Sequence, residues 1–157
     1  MSAFSLLSRD IQEFIRDKGW QEPRPIQTVA ITKIINTDLN YILSSKTASG
    51  KTEAAFLPVL TLAYGEGHRR MDDYEEGVRV LYISPLIALI NDQMERMEEL
   101  CAYLGVPVTK WHGEASSSAK QRIIRHPEGV VLMTPESLEA MFQNKPENVA
   151  RLFGNLD

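Results

Sequence analysis

The 157-residue chain predicts an α/β fold built on a parallel sheet, and three observations carry that expectation. Helix-period and strand-type segments alternate along the chain with few long gaps. One apolar run, Tyr41-Ile42-Leu43-Ser44, leads at once into a Gly-containing loop and then a helix, the layout of a strand–loop–helix unit. Hydrophobic residues make up 43% of the sequence and charged residues 24%, enough for a sizeable core and too balanced for disorder.

The elements follow in order. Leu7, Ile11, Phe14 and Ile15 repeat at helical spacing, with Gly19 as a C-terminal stop. A second helix is predicted from Pro25 through Ile26, Val29, Ala30 and Ile34. The run 41–44 reads as a buried strand, and Lys51–Tyr64 as the helix after it. Gly65–Gly77 holds three glycines and many charges, and reads as a solvated connection. Val78–Ile83 is a second predicted strand ending at Ser84-Pro85. The helix beyond it carries Leu89, Met94, Met97, Leu100 and Cys101, read as core. Val106–Lys110 is a third strand leading to Trp111-His112-Gly113, Ser116–Arg125 a polar helix, and Gly129–Met133 a fourth strand. Thr134 has the character of an N-cap, with Pro135 at the first position of a helix reaching about Gln143. A short helix near Val149–Phe153 closes the pattern. With no repeats and no low-complexity tract, one domain over 1–157 is expected.

Composition excludes several classes. The single Cys101 rules out an internal disulfide framework. His68, His112 and His126 show none of the spacings of a zinc site. No basic stretch followed by an apolar run opens the chain, and the apolar stretches Phe56–Tyr64 and Val80–Ile90 are too short or interrupted to span a bilayer. A reducing, cytoplasmic setting is expected. The net charge of −4 argues against a broad basic groove, though a phosphate contact is local and escapes that average.

The strongest chemical signal is Ser45-Lys46-Thr47-Ala48-Ser49-Gly50-Lys51-Thr52, followed by Glu53. Between a strand and a helix, such a loop turns backbone N–H groups and the helix N-terminus toward phosphates. Small residues at Ala48, Ser49 and Gly50 permit close approach. Lys51 is expected to reach the β- and γ-phosphates, and the Thr52 hydroxyl to ligate Mg²⁺. Ser45 stands where the motif usually has its first glycine. Gln27, 24 residues before Lys51, has a donor and an acceptor suited to the adenine edge, and alone is equally an ordinary polar residue of a helix's first turn. Trp20 is a base-stacking candidate or a loop anchor. Ser84-Pro85-Leu86 and Thr134-Pro135-Glu136 each follow a strand, where parallel sheets gather ligands, and are either ordinary caps or grips for successive phosphates.

Taken together and in this order, the segments resemble the first half of a superfamily 2 helicase core. Pro23-Arg24-Pro25-Ile26-Gln27 is similar to the adenine-reading Q motif of DEAD-box proteins. The run Lys46–Pro58 resembles motif I, nearest the large-helicase-related (Lhr-like) group. Ser84–Gln93 is similar to motif Ia, Val131–Leu138 to motif Ib, and His112-Gly113 falls at a glycine-bearing loop on the nucleic-acid side. The resemblance spans residues 14 to 142. It implies a RecA-like P-loop fold, with ATP at Gln27, Thr47, Ala48, Ser49, Gly50, Lys51, Thr52 and Glu53, and Lys51 and Thr52 as the catalytic pair. Thr52 would be the protein's metal ligand. It implies nucleic-acid contacts at Ser84, Pro85, Leu86, Gly113, Thr134, Pro135 and Glu136.

Leu86 and Ile87 stand where DEAD-box RNA helicases carry an arginine, which favours DNA over RNA. No Asp-Glu dipeptide occurs, so motif II is absent from the sequence. The expectation is a domain cut before the motif II strand. Such a piece would be inactive alone, have an exposed strand edge and tend to self-associate. It would depend on a second RecA-like domain. A restriction-type DNA translocase and a non-motor nucleotide-binding regulatory module remain open; a small-molecule kinase leaves Gln27 and the two turns unexplained.

Overall fold

The computed structural model describes residues 2–66 and 77–156. The greater part of the Gly65–Gly77 connection therefore lies outside the described residues. The chain groups into two compact units, Met1–Met71 and Asp72–Asp157.

The first unit is helical. A 3₁₀ turn at Ala3–Leu6 precedes α1 (Arg9–Asp17), α2 (Pro25–Asn36) and α3 (Lys51–Tyr64). The helical spacing read in the sequence holds: Leu7, Ile11, Phe14 and Ile15 are buried, and Gly19, at φ +69°, takes the left-handed turn just past α1. Trp20 stands edge-on to Phe14, ring centroids 5.7 Å apart, so it anchors the loop after α1. α2 packs against α3, and the Ser8 amide donates to Thr61 Oγ1 at 3.2 Å, tying the start of α1 to α3.

The expected strand at 41–44 does not form. Residues 37–46 are without regular structure, and Ile42 is 96% exposed. A strand's backbone groups are satisfied only by a neighbour, and no strand pairs with this run among the described residues. Tyr41 instead donates through its hydroxyl to the Lys33 carbonyl at 3.3 Å and bonds the Thr37 hydroxyl, folding the run back on the end of α2.

The second unit is layered α/β. Strands β1 (Val80–Ile83), β2 (Val108–Trp111) and β3 (Val130–Met133) form a parallel sheet in the order β1-β3-β2. Ile83 and Trp111 both register with Met133, so all three strands end at one level. β3 is central and wholly buried, the continuous apolar pattern of a strand covered on both faces. β1 and β2 have one hydrogen-bonding neighbour each among the described residues. Helix α4 (Ile87–Leu104) covers β2 and β3, while α5 (Ser117–Arg125), α6 (Pro135–Asn144) and α7 (Pro146–Phe153) complete the unit. Val131, Met133, Ile123, Met141 and Leu152 share one core cluster, with Trp111 packed against it.

The buried face of α4 is Ile90, Gln93, Met97, Leu100, Cys101 and Leu104. Leu89, expected in the core, is 44% exposed because the i, i+3, i+7 stripe runs one position later. Burial pushes the Cys101 thiol up to about 12, so it stays protonated and inert, as its core reading required.

Candidate functional site

In the first unit the predicted phosphate loop is built from α2 and the start of α3. Gly50 is the N-cap of α3 at φ +86°, and Ala48 also has a positive φ of 58°. Such left-handed steps turn neighbouring amides toward a common side, the geometry of an anion-binding nest. Thr47 lies in the turn before them, and Lys51, Thr52 and Glu53 form the first turn of the helix. The Ser49 hydroxyl is buried and has no partner, a vacant hydrogen-bonding group inside the loop.

Lys51 folds over the loop. Its Nζ donates to the Ser45 carbonyl at 2.7 Å and the Lys46 carbonyl at 2.8 Å. Ser45 thus bonds through its backbone carbonyl, and its φ is not positive, so a residue other than glycine is accommodated there.

Gln27 is 5% exposed and is brought against this loop. Its Oε1 accepts from the Arg24 amide at 2.9 Å, and its Nε2 reaches the Gly50 carbonyl at 3.5 Å. A Cβ on Gly50 would stand 2.5 Å from Gln27 Nε2, so the φ of +86° favours glycine and any other residue would push the end of the Gln27 side chain aside. The Arg24 guanidinium donates to the Ala48 carbonyl at 2.5 Å, a second clamp from α2 onto the loop. The sequence reading quoted Arg24 without a role. Its target is a backbone carbonyl, which no side-chain pattern reveals.

The residues present suit a nucleoside triphosphate with its metal. The nest and the Ser49 hydroxyl offer donors, Lys51 a cation, and Thr52 a hydroxyl near the helix start. Among the described residues no group of three or more His, Cys, Asp or Glu side chains is placed to hold a metal.

In the second unit the predicted contacts gather at the carboxyl ends of the strands. Ser84 follows β1, is buried, and its amide donates to the Met133 carbonyl at 3.1 Å. Thr134 follows β3 and caps α6, its Oγ1 accepting from the Ser137 amide at 3.3 Å as its N-cap reading required. The two turns therefore start from neighbouring strands. They differ in their caps: α4 begins at Ile87, after exposed Pro85, and its N-cap Leu86 has no side-chain acceptor. The first-turn amides of α4 stay open to an anion, whereas Glu136 places a carboxylate in the first turn of α6.

Gly113 is exposed just past β2. Beneath it His112 is 2% exposed, and its Nδ1 accepts from the Glu114 amide at 3.3 Å while Nε2 has no partner. Burial holds its pKa below the ordinary histidine value, with Lys110 and Lys120 adding to the effect and Glu114 opposing it. The Lys120 ammonium donates to the His112 carbonyl at 2.6 Å, bracing this loop from α5. The sequence reading missed Lys120, whose acceptor is again a main-chain carbonyl.

Comparison with known proteins agrees with this architecture. The family described as DEAD/DEAH box helicase matches residues 24–156. The ATP-dependent helicase Lhr-Core protein 2 of Thermococcus barophilus is 32% identical over 95% of this chain, which spans 18% of that protein's length. The Mycobacterium smegmatis helicase Lhr, solved with ssDNA and AMP-PNP, superposes with a TM-score of 0.77 at 24% identity, over 97% of this chain and 20% of that one. The DEAD-box helicase Mss116, bound to ssRNA and UDP-BeF, gives 0.81 at 18% identity, over 97% of this chain and 30% of its own. The fold is RecA-like.

Proposed function

The chain belongs to the DEAD/DEAH box helicase family, and from that premise we propose that residues 1–157 are the N-terminal part of the first RecA-like domain of an ATP-dependent nucleic-acid helicase or translocase. The observation that carries this reading is the loop 47–52, where a cation, a nest of amides, an unpartnered hydroxyl and a base-reading candidate converge.

Each group has a task. Gln27, held at both ends of its carboxamide, presents a fixed donor–acceptor edge to adenine. The amides around Ala48–Gly50 and the Ser49 hydroxyl receive the phosphate oxygens, and Thr47 and Glu53 flank them. Lys51 exchanges the Ser45 and Lys46 carbonyls for the β- and γ-phosphates. Thr52 holds Mg²⁺, which supplies charge neutralisation on the transferring phosphoryl group when bound. The turns Ser84–Leu86 and Thr134–Glu136, with Gly113, take the sugar-phosphate backbone of a single strand, without reading its bases. DNA is favoured over RNA, since apolar Leu86 and Ile87 leave no side-chain cation at the first turn. The natural setting is the cytoplasm, with a second RecA-like domain closing on the nucleotide.

A titration with a fluorescent ATP analogue tests the loop. Lys51→Ala should weaken binding on the order of tenfold to a hundredfold, the weight of one or two charge-assisted hydrogen bonds. Equal binding by both proteins would sink the assignment. The 157 residues contain no Asp-Glu dipeptide, the pair that the resemblance assigns to Mg²⁺ and the attacking water. Steady-state ATPase of this chain should match the buffer rate, and sustained turnover would mean that another group performs that step.

A further inference from the structure

Between α5, α6 and α7, beside the end of β2, lies a cavity of about 390 Å³. Its lining includes Gly113, of the glycine-bearing loop, and Ser137, in the first turn of α6 beyond Thr134. No Asp or Glu lines it, in a chain of net charge −4. The cavity of about 470 Å³ in front of β2, by contrast, carries Glu98 and Glu128. The wall of the cavity of about 390 Å³ holds the half-buried indole of Trp111, with the Lys120 ammonium 5.8 Å from the ring centroid. Gln121 and Asn148 add carboxamides.

We propose that this cavity receives one unstacked nucleobase of the strand held by the neighbouring turns, a proposal that rests on the strand-gripping reading above. The lining matches each part of a nucleotide. An aromatic wall stacks on any base, because every base has a π-face. A carboxamide offers a donor and an acceptor side by side, as base edges require. Lys120, which bonds the His112 carbonyl, has further N–H donors for a flanking phosphate, and the cavity lining adds no carboxylate to the Glu136 of the neighbouring turn. The grip on the backbone is thereby supplemented by one base, pulled out of its stack beside the turn at Thr134.

The test uses the whole chain in a Trp20→Phe form, which leaves Trp111 as its one tryptophan. Oligodeoxyadenylate, its ribo-counterpart and an abasic strand of equal phosphate count are titrated by anisotropy and by Trp111 emission. The proposal expects both base-bearing strands to quench Trp111 and to bind about tenfold tighter than the abasic strand, equivalent to about 1.4 kcal/mol. Whichever of the two binds tighter identifies the sugar. Gln121→Ala should lower the base-dependent part about threefold and leave abasic binding unchanged. Equal binding of all strands with unchanged Trp111 emission overturns the base cavity while the backbone grip stands. No binding of any strand overturns the grip and the cavity with it.

Discussion

The loop 47–52 and the turns at Ser84 and Thr134, proposed above as sites of one chemical type, are held by different means. The turns hang from a sheet: β3 is buried throughout, and its Met133 carbonyl receives the Ser84 amide. The phosphate loop has no paired strand before it among the described residues, and Ile42 stands exposed. Its shape comes from α2 and from its own lysine, through Arg24, Gln27 and Lys51. An anion-binding loop thus needs a fixed set of contacts to its backbone more than it needs any particular neighbour, and helix-borne side chains provide them here.

Hydrogen exchange should show the contrast at its widest. Amides of Ile42–Ser44 should exchange at least about a thousandfold faster than those of Val131 and Leu132, as open and fully protected backbone differ by several kcal/mol. Similar protection would mean that 41–44 finds a strand partner in solution. Next in size, Gly50→Ala should destabilise the chain by about 1–2 kcal/mol in urea, since it combines a left-handed φ with the clash on Gln27. An unchanged midpoint would show that α2 does not hold the loop.

The smallest effect concerns His112. Its lowered folded-state pKa means that the unfolded chain binds the proton more readily. The stability it contributes is complete above the unfolded value near 6.5 and is lost as pH falls through the folded value. The thermal midpoint should therefore drop between about pH 7.5 and about pH 5, and His112→Asn should flatten that slope. An identical slope in the variant would place the titration elsewhere.

Much of this was legible in the sequence. The start of α3 at Lys51 and the cap at Thr134 are local matters of glycine, threonine and helical spacing, and both fell as expected. The run 41–44 was misread because pairing is non-local: its composition suits a strand, but composition cannot supply a neighbour. Leu89 was misplaced by one step of a helical stripe, an error that apolar residues on two adjacent positions invite. Arg24 and Lys120 escaped notice for a third reason. Both grip main-chain carbonyls, 24 and 8 residues away, and a carbonyl is the same at every position.

The two bonds from Lys51 to the Ser45 and Lys46 carbonyls would make the loop a competitor of the nucleotide proposed for it. In the proposed nucleotide site the ammonium would meet its ligand already dressed in two dipoles, so binding would be a substitution at nitrogen rather than the capture of a bare charge. Part of the attraction is spent on displacing those dipoles, which lowers affinity. In return the two carbonyls give the lysine a defined resting position.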